Sequence, residues 1–341
     1  MPMSADPLFL SAAGFAACAL VIFLAGRRLS FHGDIIARRT GLGRAWFGLV
    51  LMAAVTSLPE LFVGIGSVRV VGSADLAVGD VLGSCAFNLG LLALMDAFEP
   101  RGATLLGRAS ASHSLAASLG IILLALTGFS LYSPGDVVVL PFIGLTSLLF
   151  IAIYLVAMRL LYTYEREHPV VHADPEAARM TEAPLRRSVL LYLVFAGITI
   201  LAALAIPQFA EGLAERTGMG STFVGTLFLA ASTSLPEVAV AITAVRMGAV
   251  DMAVGNLLGS NIFNILILSI DDLFYTQGHL LKDASDDHLV SVLACVMMSA
   301  VAIIGLTYHQ PRKRFWLAWD ALVIFGIYVT NIVLLYRMTA S

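Results

Sequence analysis

The sequence predicts an all-α polytopic membrane protein: ten transmembrane helices arranged as two five-helix units of inverted topology. Three observations carry this expectation. The 341 residues are 59% hydrophobic and only 13% charged, whereas a soluble domain of this size holds about a quarter charged residues. Apolar runs long enough to cross about 30 Å of hydrocarbon recur along the whole chain. The stretch 53–96 also returns in register at 230–272, with TSLPE repeated letter for letter at 56–60 and 233–237.

The apolar runs fall at 8–26, 45–70, 75–98, 113–131, 137–161, 188–207, 222–246, 250–272, 289–308 and 315–337. No basic residue precedes the first, and it closes on Arg27-Arg28, so it reads as a spanning helix rather than a cleaved signal. The second and seventh runs carry the TSLPE motifs, and glycine and polar residues interrupt the third and eighth. The segment 162–187, with Pro169, Pro175 and Pro184, reads as a linker on the cytoplasmic side. It separates a first unit at 1–161 from a second at 188–341.

Basic residues set the expected orientation. Arg27, Arg28, Arg38, Arg39 and Arg44 fall in the first connection, Arg101 and Arg108 in the third, and Arg159, Arg166, Arg179, Arg186 and Arg187 in the fifth. With Arg246, Arg312, Lys313 and Arg314, sixteen of the 20 basic residues share one side. Positive charge favours the cytoplasm, which puts both termini outside. The eighth connection, holding Asp271, Asp272, Asp283, Asp286 and Asp287, then lies outside as a solvated acidic loop. Arg69 and Arg246 are expected to be snorkelling anchors, and Asp96 and Asp320 to be interfacial. Cys18, Cys85 and Cys295 sit in apolar runs without metal-ligand spacing and read as packing residues.

The repeat carries the chemistry. More than twenty positions match between the copies, among them Thr, Ser, Pro, Glu, Arg, Asp, Gly and Asn, which chance apolar similarity does not align. An odd number of spans per unit turns the second copy upside down, and inverted repeats of this kind point to a transporter with its site where the halves meet. Pro59 has no N–H for the carbonyl of Val55, and Pro236 none for Ser232. The bend also loosens the carbonyls of Thr56 and Thr233. A cation can satisfy carbonyls that lipid cannot.

Thr56, Ser57 and Glu60 share one helix face, as do Thr233, Ser234 and Glu237. Each bend thus gathers hard oxygen donors suited to Ca²⁺ or Na⁺. Ser84 and Asn88, with Ser260 and Asn264, add neutral oxygens. Asp80 stands where the second copy has Asn256, five residues inside Asp75. Gly79/Gly83 and Gly255/Gly259 have the spacing of close helix packing. The chain contains no HExxH, GxSxG or nucleotide-binding glycine loop, so an enzyme is not expected.

With TSLPE twice, then 79-GDVLGSCAFN-88 and 255-GNLLGSNIFN-264, the chain resembles the cation/calcium exchanger superfamily, the Na⁺/Ca²⁺ exchangers and their prokaryotic relatives. The resemblance implies ion ligation by Ala53, Thr56, Ser57, Glu60, Ser84 and Asn88, and by Ala230, Thr233, Ser234, Glu237, Ser260 and Asn264, with the alanines and threonines acting in part through carbonyls. Two departures stand out. Val55 and Ser232 replace the family's glycine before TSLPE, and Asn264 stands where many sodium-coupled members carry aspartate.

Glu60 and Glu237 together supply −2, which balances one Ca²⁺, two Na⁺ or two protons. A third Na⁺ would need another negative group, for which Asp80 is the candidate. The expectation is a secondary antiporter exchanging Ca²⁺ for Na⁺ by alternating access, in a compact bacterial-type inner-membrane protein. A H⁺-coupled or K⁺-dependent exchanger is the alternative. No cofactor, nucleic acid or protein partner is expected beyond the ions and the bilayer.

Overall fold

The computed structural model describes residues 7–99, 103–133, 138–140, 143–167, 184–217, 231–308, 313 and 316–340. Nine helices among these residues are long and apolar enough to cross a membrane, and the chain is a multi-pass membrane protein. In order they are α1 (Pro7–Thr40), α2 (Arg44–Val71), α3 (Ala74–Met95), α5 (Ser112–Tyr132), α6 (Leu145–Glu167), α7 (Leu185–Thr217), α9 (Val250–Phe274), α11 (His288–Tyr308) and α12 (Trp319–Ala340). Shorter helices lie between them: α4 (Leu105–Arg108), α8 (Leu235–Arg246) and α10 (Leu280–Asp283). Of the seventh expected run, residues 222–230 lie outside the described residues, and 231–246 are helical with a break at Ser234.

Several boundaries differ from expectation. The first helix does not stop at Arg27-Arg28 but runs on through Gly33 to Thr40, ending where Gly41 takes a φ of +72°. Asp34 in this added stretch pairs with Arg38 at 2.7 Å and with Arg44 at 2.6 Å, so the arginines have a partner on the helix. The fifth run begins as a helix only at Leu145. Before it, Val138–Leu140 and Ile143–Gly144 form a small antiparallel pair. The linker residues 168–183 lie outside the described residues. Asp271 and Asp272 are not loop residues: α9 continues through both, and they are 0% and 4% exposed.

Burial ranks the helices. In their most apolar windows, 83% of α9 and 72% of α3 is buried, against 11% of α1 and 17% of α12. The repeated segments therefore form the centre, and α1 and α12 turn apolar side chains such as Phe9, Leu24, Phe325 and Leu334 outward. In lipid that exposure carries no hydrophobic penalty. Close approach at the centre depends on small residues. A Cβ on Gly255 would lie 2.7 Å from the Ala45 carbonyl, and one on Gly259 would run into the backbone of Leu49, so the second glycine pair packs as its spacing predicts.

Contacts between the halves come in reciprocal pairs. Arg69 lies over the ring of Phe274 at 5.9 Å, and Arg246 over Phe98 at 5.7 Å. These arginines stack on the opposite half as well as anchoring helix ends. Asp75 meets His288 at 3.2 Å, and Asp251 meets His113 at 3.1 Å. Gly72 and Gly248, which follow the two TSLPE helices, take φ of +72° and +71°. Only glycine enters that left-handed region without strain, so both copies turn back into the bundle in the same way.

Two aspartates tie down helix ends. Asp96 accepts from the Leu105 and Ala318 amides at 2.8 Å each, with Lys313 at 3.7 Å. Asp272, its repeat equivalent, accepts from Leu280 N at 2.9 Å and Ser147 Oγ at 2.6 Å. Asp96, 2% exposed, is thus an internal anchor rather than an interfacial residue. Asp320 is also buried, at 4%, and accepts from the Ala321 amide.

Candidate ion-binding site

Each TSLPE motif breaks its helix at the serine. Ser57 has φ −90°, ψ 5°, and Ser234 has φ −83°, ψ 7°, so the two copies bend alike. Past the proline the ladder resumes, from Leu61 N to Ser57 O and from Val238 N to Ser234 O, both at 3.2 Å. The proline thus sits in a new first turn, where its missing N–H is tolerated. The serine hydroxyl is left at a corner that faces the opposite half.

The corners cross. Ser57 Oγ donates to Glu237 Oε1 at 3.3 Å, and Ser234 Oγ is 3.1 Å from Glu60 Oε1. Each half therefore holds the other half's acid. Ser260 Oγ also donates to Glu237 Oε1 at 3.2 Å, and Ser234 Oγ lies 3.2 Å from Ser84 Oγ. Thr56 Oγ1 lies 3.3 Å from Asn256 Oδ1, 3.4 Å from Ser260 Oγ and 3.3 Å from Ala53 O. Thr56, Ser57, Glu60, Ser84, Asn88, Thr233, Ser234, Glu237, Ser260 and Asn264 are all 0% exposed.

Glu60 Oε2 and Glu237 Oε2 have no hydrogen-bond partner among the described residues. Two buried acids, each with one oxygen tethered by a hydroxyl from the opposite half and one left open, form an oxygen-rich cage. Among the described residues the partners of both acids are hydroxyls, not basic side chains. Uncompensated carboxylates are costly at such depth unless a cation or proton neutralises them.

Not every sequence candidate joins this cage directly. Asn88 Nδ2 donates to Asn261 Oδ1 at 3.1 Å, and Asn261 Nδ2 donates to Cys85 O at 3.2 Å, so α3 and α9 are clamped through Asn261, a residue that the repeated motif does not single out. Asn264 lies one turn from Ser260 on the buried side of α9. The Ala53 carbonyl accepts from Ser57 N at 3.0 Å as well as facing the Thr56 hydroxyl. Ala230 lies outside the described residues. Asp80 is 1% exposed, with neither oxygen hydrogen-bonded among the described residues, and its charge acts on Glu60. Asp271 is the acid that sequence reasoning missed. Its signal was faint, since it adjoins Asp272, the true equivalent of Asp96. No cluster of three or more His, Cys, Asp or Glu able to hold a metal ion occurs among the described residues.

Comparison with known proteins agrees with this architecture. A model of the family described as sodium/calcium exchanger protein matches residues 10–163 and 187–337. The inner membrane protein YrbG of Escherichia coli is 30% identical over 295 residues, covering 82% of this chain and 85% of that protein. The sodium/calcium exchanger MaX1 of Methanosarcina acetivorans is 35% identical over 124 residues, covering 36% of this chain and 33% of that one. A structure of the sodium-calcium exchanger NCX_Mj, soaked with Na⁺ and Sr²⁺, superposes with a TM-score of 0.71 at 20% identity, covering 96% of this chain and 98% of the other. That likeness establishes a shared fold. With a match spanning both halves of the sequence and a relative aligned over most of its length, this chain belongs to the sodium/calcium exchanger family.

Proposed function

We propose that the chain is a secondary antiporter exchanging Ca²⁺ for Na⁺ across the membrane, with both ions competing for one oxygen cage near the bilayer midplane. The observation that carries this reading is the crossed tethering of Glu60 by Ser234 and of Glu237 by Ser57, which leaves one oxygen of each acid open between the halves. Family membership and the likeness to MaX1, itself named a sodium/calcium exchanger, support it. The ligand set is Glu60, Glu237, Thr56, Thr233, Ser57, Ser234, Ser84, Asn88, Ser260 and Asn264, with carbonyls of Ala53 and Ala230.

Two carboxylates balance one Ca²⁺ or two Na⁺, so the cage holds one kind of load at a time. Alternating access then presents it to each side in turn. The ions are cargo, and the chain performs no covalent chemistry. The units at 1–161 and 188–341 are the two halves that meet at the cage, and both termini face away from the cytoplasm.

A K⁺-dependent variant is the second reading, because the human sodium/potassium/calcium exchanger 4 is 29% identical over 117 residues, 33% of this chain and 19% of that one. Flux of ⁴⁵Ca²⁺ into proteoliposomes, with Na⁺, K⁺ and H⁺ gradients imposed separately, tests both. Uptake should follow the outward Na⁺ gradient and fall to background in Glu60→Gln and in Glu237→Gln. Undiminished uptake in either variant would overturn the proposal.

A further inference from the structure

Beside the cage lies a second pair of buried acids. Asp80 on α3 and Asp271 on α9 are 1% and 0% exposed, and none of their four carboxylate oxygens has a hydrogen-bond partner among the described residues. The charge of Asp80 acts on Asp271. The Asp271 carboxyl group presses against Gly64, where an added Cβ would stand 2.7 Å from its Cγ. Gly64 is one turn beyond Glu60 on α2, so the glycine makes room for a carboxylate next to the cage. Asp80 extends the connection, since its charge also acts on Glu60. From Asp80, α3 leads back about 7.5 Å to Asp75, whose side chain is 56% exposed.

The pair breaks the repeat. Position 256, equivalent to Asp80, is Asn256, and position 95, equivalent to Asp271, is Met95. The same fold therefore packs at these places with an amide and a thioether, and packing alone does not call for two acids. Anchoring does not account for them either: Asp96 and Asp272 take that role and have amide donors. Four hard oxygens with no protein donor, in a buried position and on one side of the cage only, have the chemistry of a divalent cation site.

We propose that Asp80 and Asp271 form a second Ca²⁺ site, a way-station on one of the two access routes to the cage. The inference rests on the reading of Glu60 and Glu237 as the cage acids. It makes the transport path asymmetric, with acids at these two positions on the side where α2 ends and the neutral Asn256 and Met95 at the equivalent positions on the other.

Equilibrium binding of ⁴⁵Ca²⁺ to the purified full chain in Na⁺-free detergent solution tests it. Two ions should bind per unaltered chain, one to Asp80→Asn/Asp271→Asn and one to Glu60→Gln/Glu237→Gln. The single variants Asp80→Asn and Asp271→Asn, checked for monodispersity and thermal unfolding, should each weaken the same ion at least tenfold. One ion per unaltered chain, or two retained in the Asp80/Asp271 double variant, would overturn the second site. Flux in the glutamate variants tests the exchanger reading separately, so the two failures are distinguishable.

Discussion

His113 Nε2 and Asp251 Oδ1 meet at 3.1 Å with their side chains 0% and 6% exposed, whereas the repeat-related His288 and Asp75, at 3.2 Å, are 16% and 56% exposed. Each aspartate also accepts an amide at 2.6 Å, from Ser110 in one case and Ser285 in the other. The same device thus closes both ends of the bundle, dry at one and wet at the other. Water can replace a lost partner only at the wet end. Asp251→Ala should therefore destabilise the protein by about 2–4 kcal/mol and Asp75→Ala by about 1 kcal/mol or less. Thermal unfolding in one detergent, compared across the two variants, checks the ordering, and equal losses would contradict it.

Energetic coupling in the cage should cross between the halves. Ser57→Ala and Glu237→Ala remove two ends of one hydrogen bond, as do Ser234→Ala and Glu60→Ala. Double-mutant cycles on unfolding free energy should return coupling of about 1–2 kcal/mol for each crossed pair. The pair Ser57 and Glu60, on one helix, should show less. A larger coupling within the helix than across it would refute the crossed arrangement.

Glycine at 259 is required by space, and glycine at 66 is not. A methyl group on Gly259 meets the Leu49 backbone, with Cα 2.6 Å away, while one on Gly66 meets nothing within 4 Å. Gly259→Ala should cost about 1–3 kcal/mol through forced separation of α9 and α2. Gly66→Ala, in helical conformation, should be neutral or stabilising by up to about 1 kcal/mol. Melting temperatures that moved together would show that the close approach has no energetic consequence.

Asp272 holds the start of α10 and the head of α6 through Leu280 N and Ser147 Oγ. Asp272→Ala orphans both donors and should destabilise by about 2–4 kcal/mol. Asp286→Ala, in the exposed part of the same region, should change stability by about 0.5 kcal/mol or less. Chemical denaturation of the two variants would separate an anchor from a solvated acid.

Much of the centre was legible because the repeat duplicates polar residues in register. Thr56, Ser57, Glu60, Ser84 and their partners stand out from sequence alone, since no packing argument calls for the same buried acid twice. Asp271 was not legible, because a run of acids at 271–272 and 283–287 looks like a solvated loop unless the helix end is known. The His–Asp pairs were hidden too. His113 and His288 are 175 positions apart, outside the 53–96 window, and a lone histidine carries no periodic signal. Charge misplaced the end of α1: Arg27 and Arg28 marked a connection by the positive-inside rule, but the helix continues past them, and Asp34 in the added stretch partners Arg38 and Arg44.

The crossed hydroxyls also bear on how the sequence can change over generations. A substitution at Ser57 is felt first by Glu237, 180 residues downstream, and one at Ser234 by Glu60. Within TSLPE, the serine and the glutamate of each copy thus answer to the other copy, and neither can be exchanged without consequence for its distant counterpart.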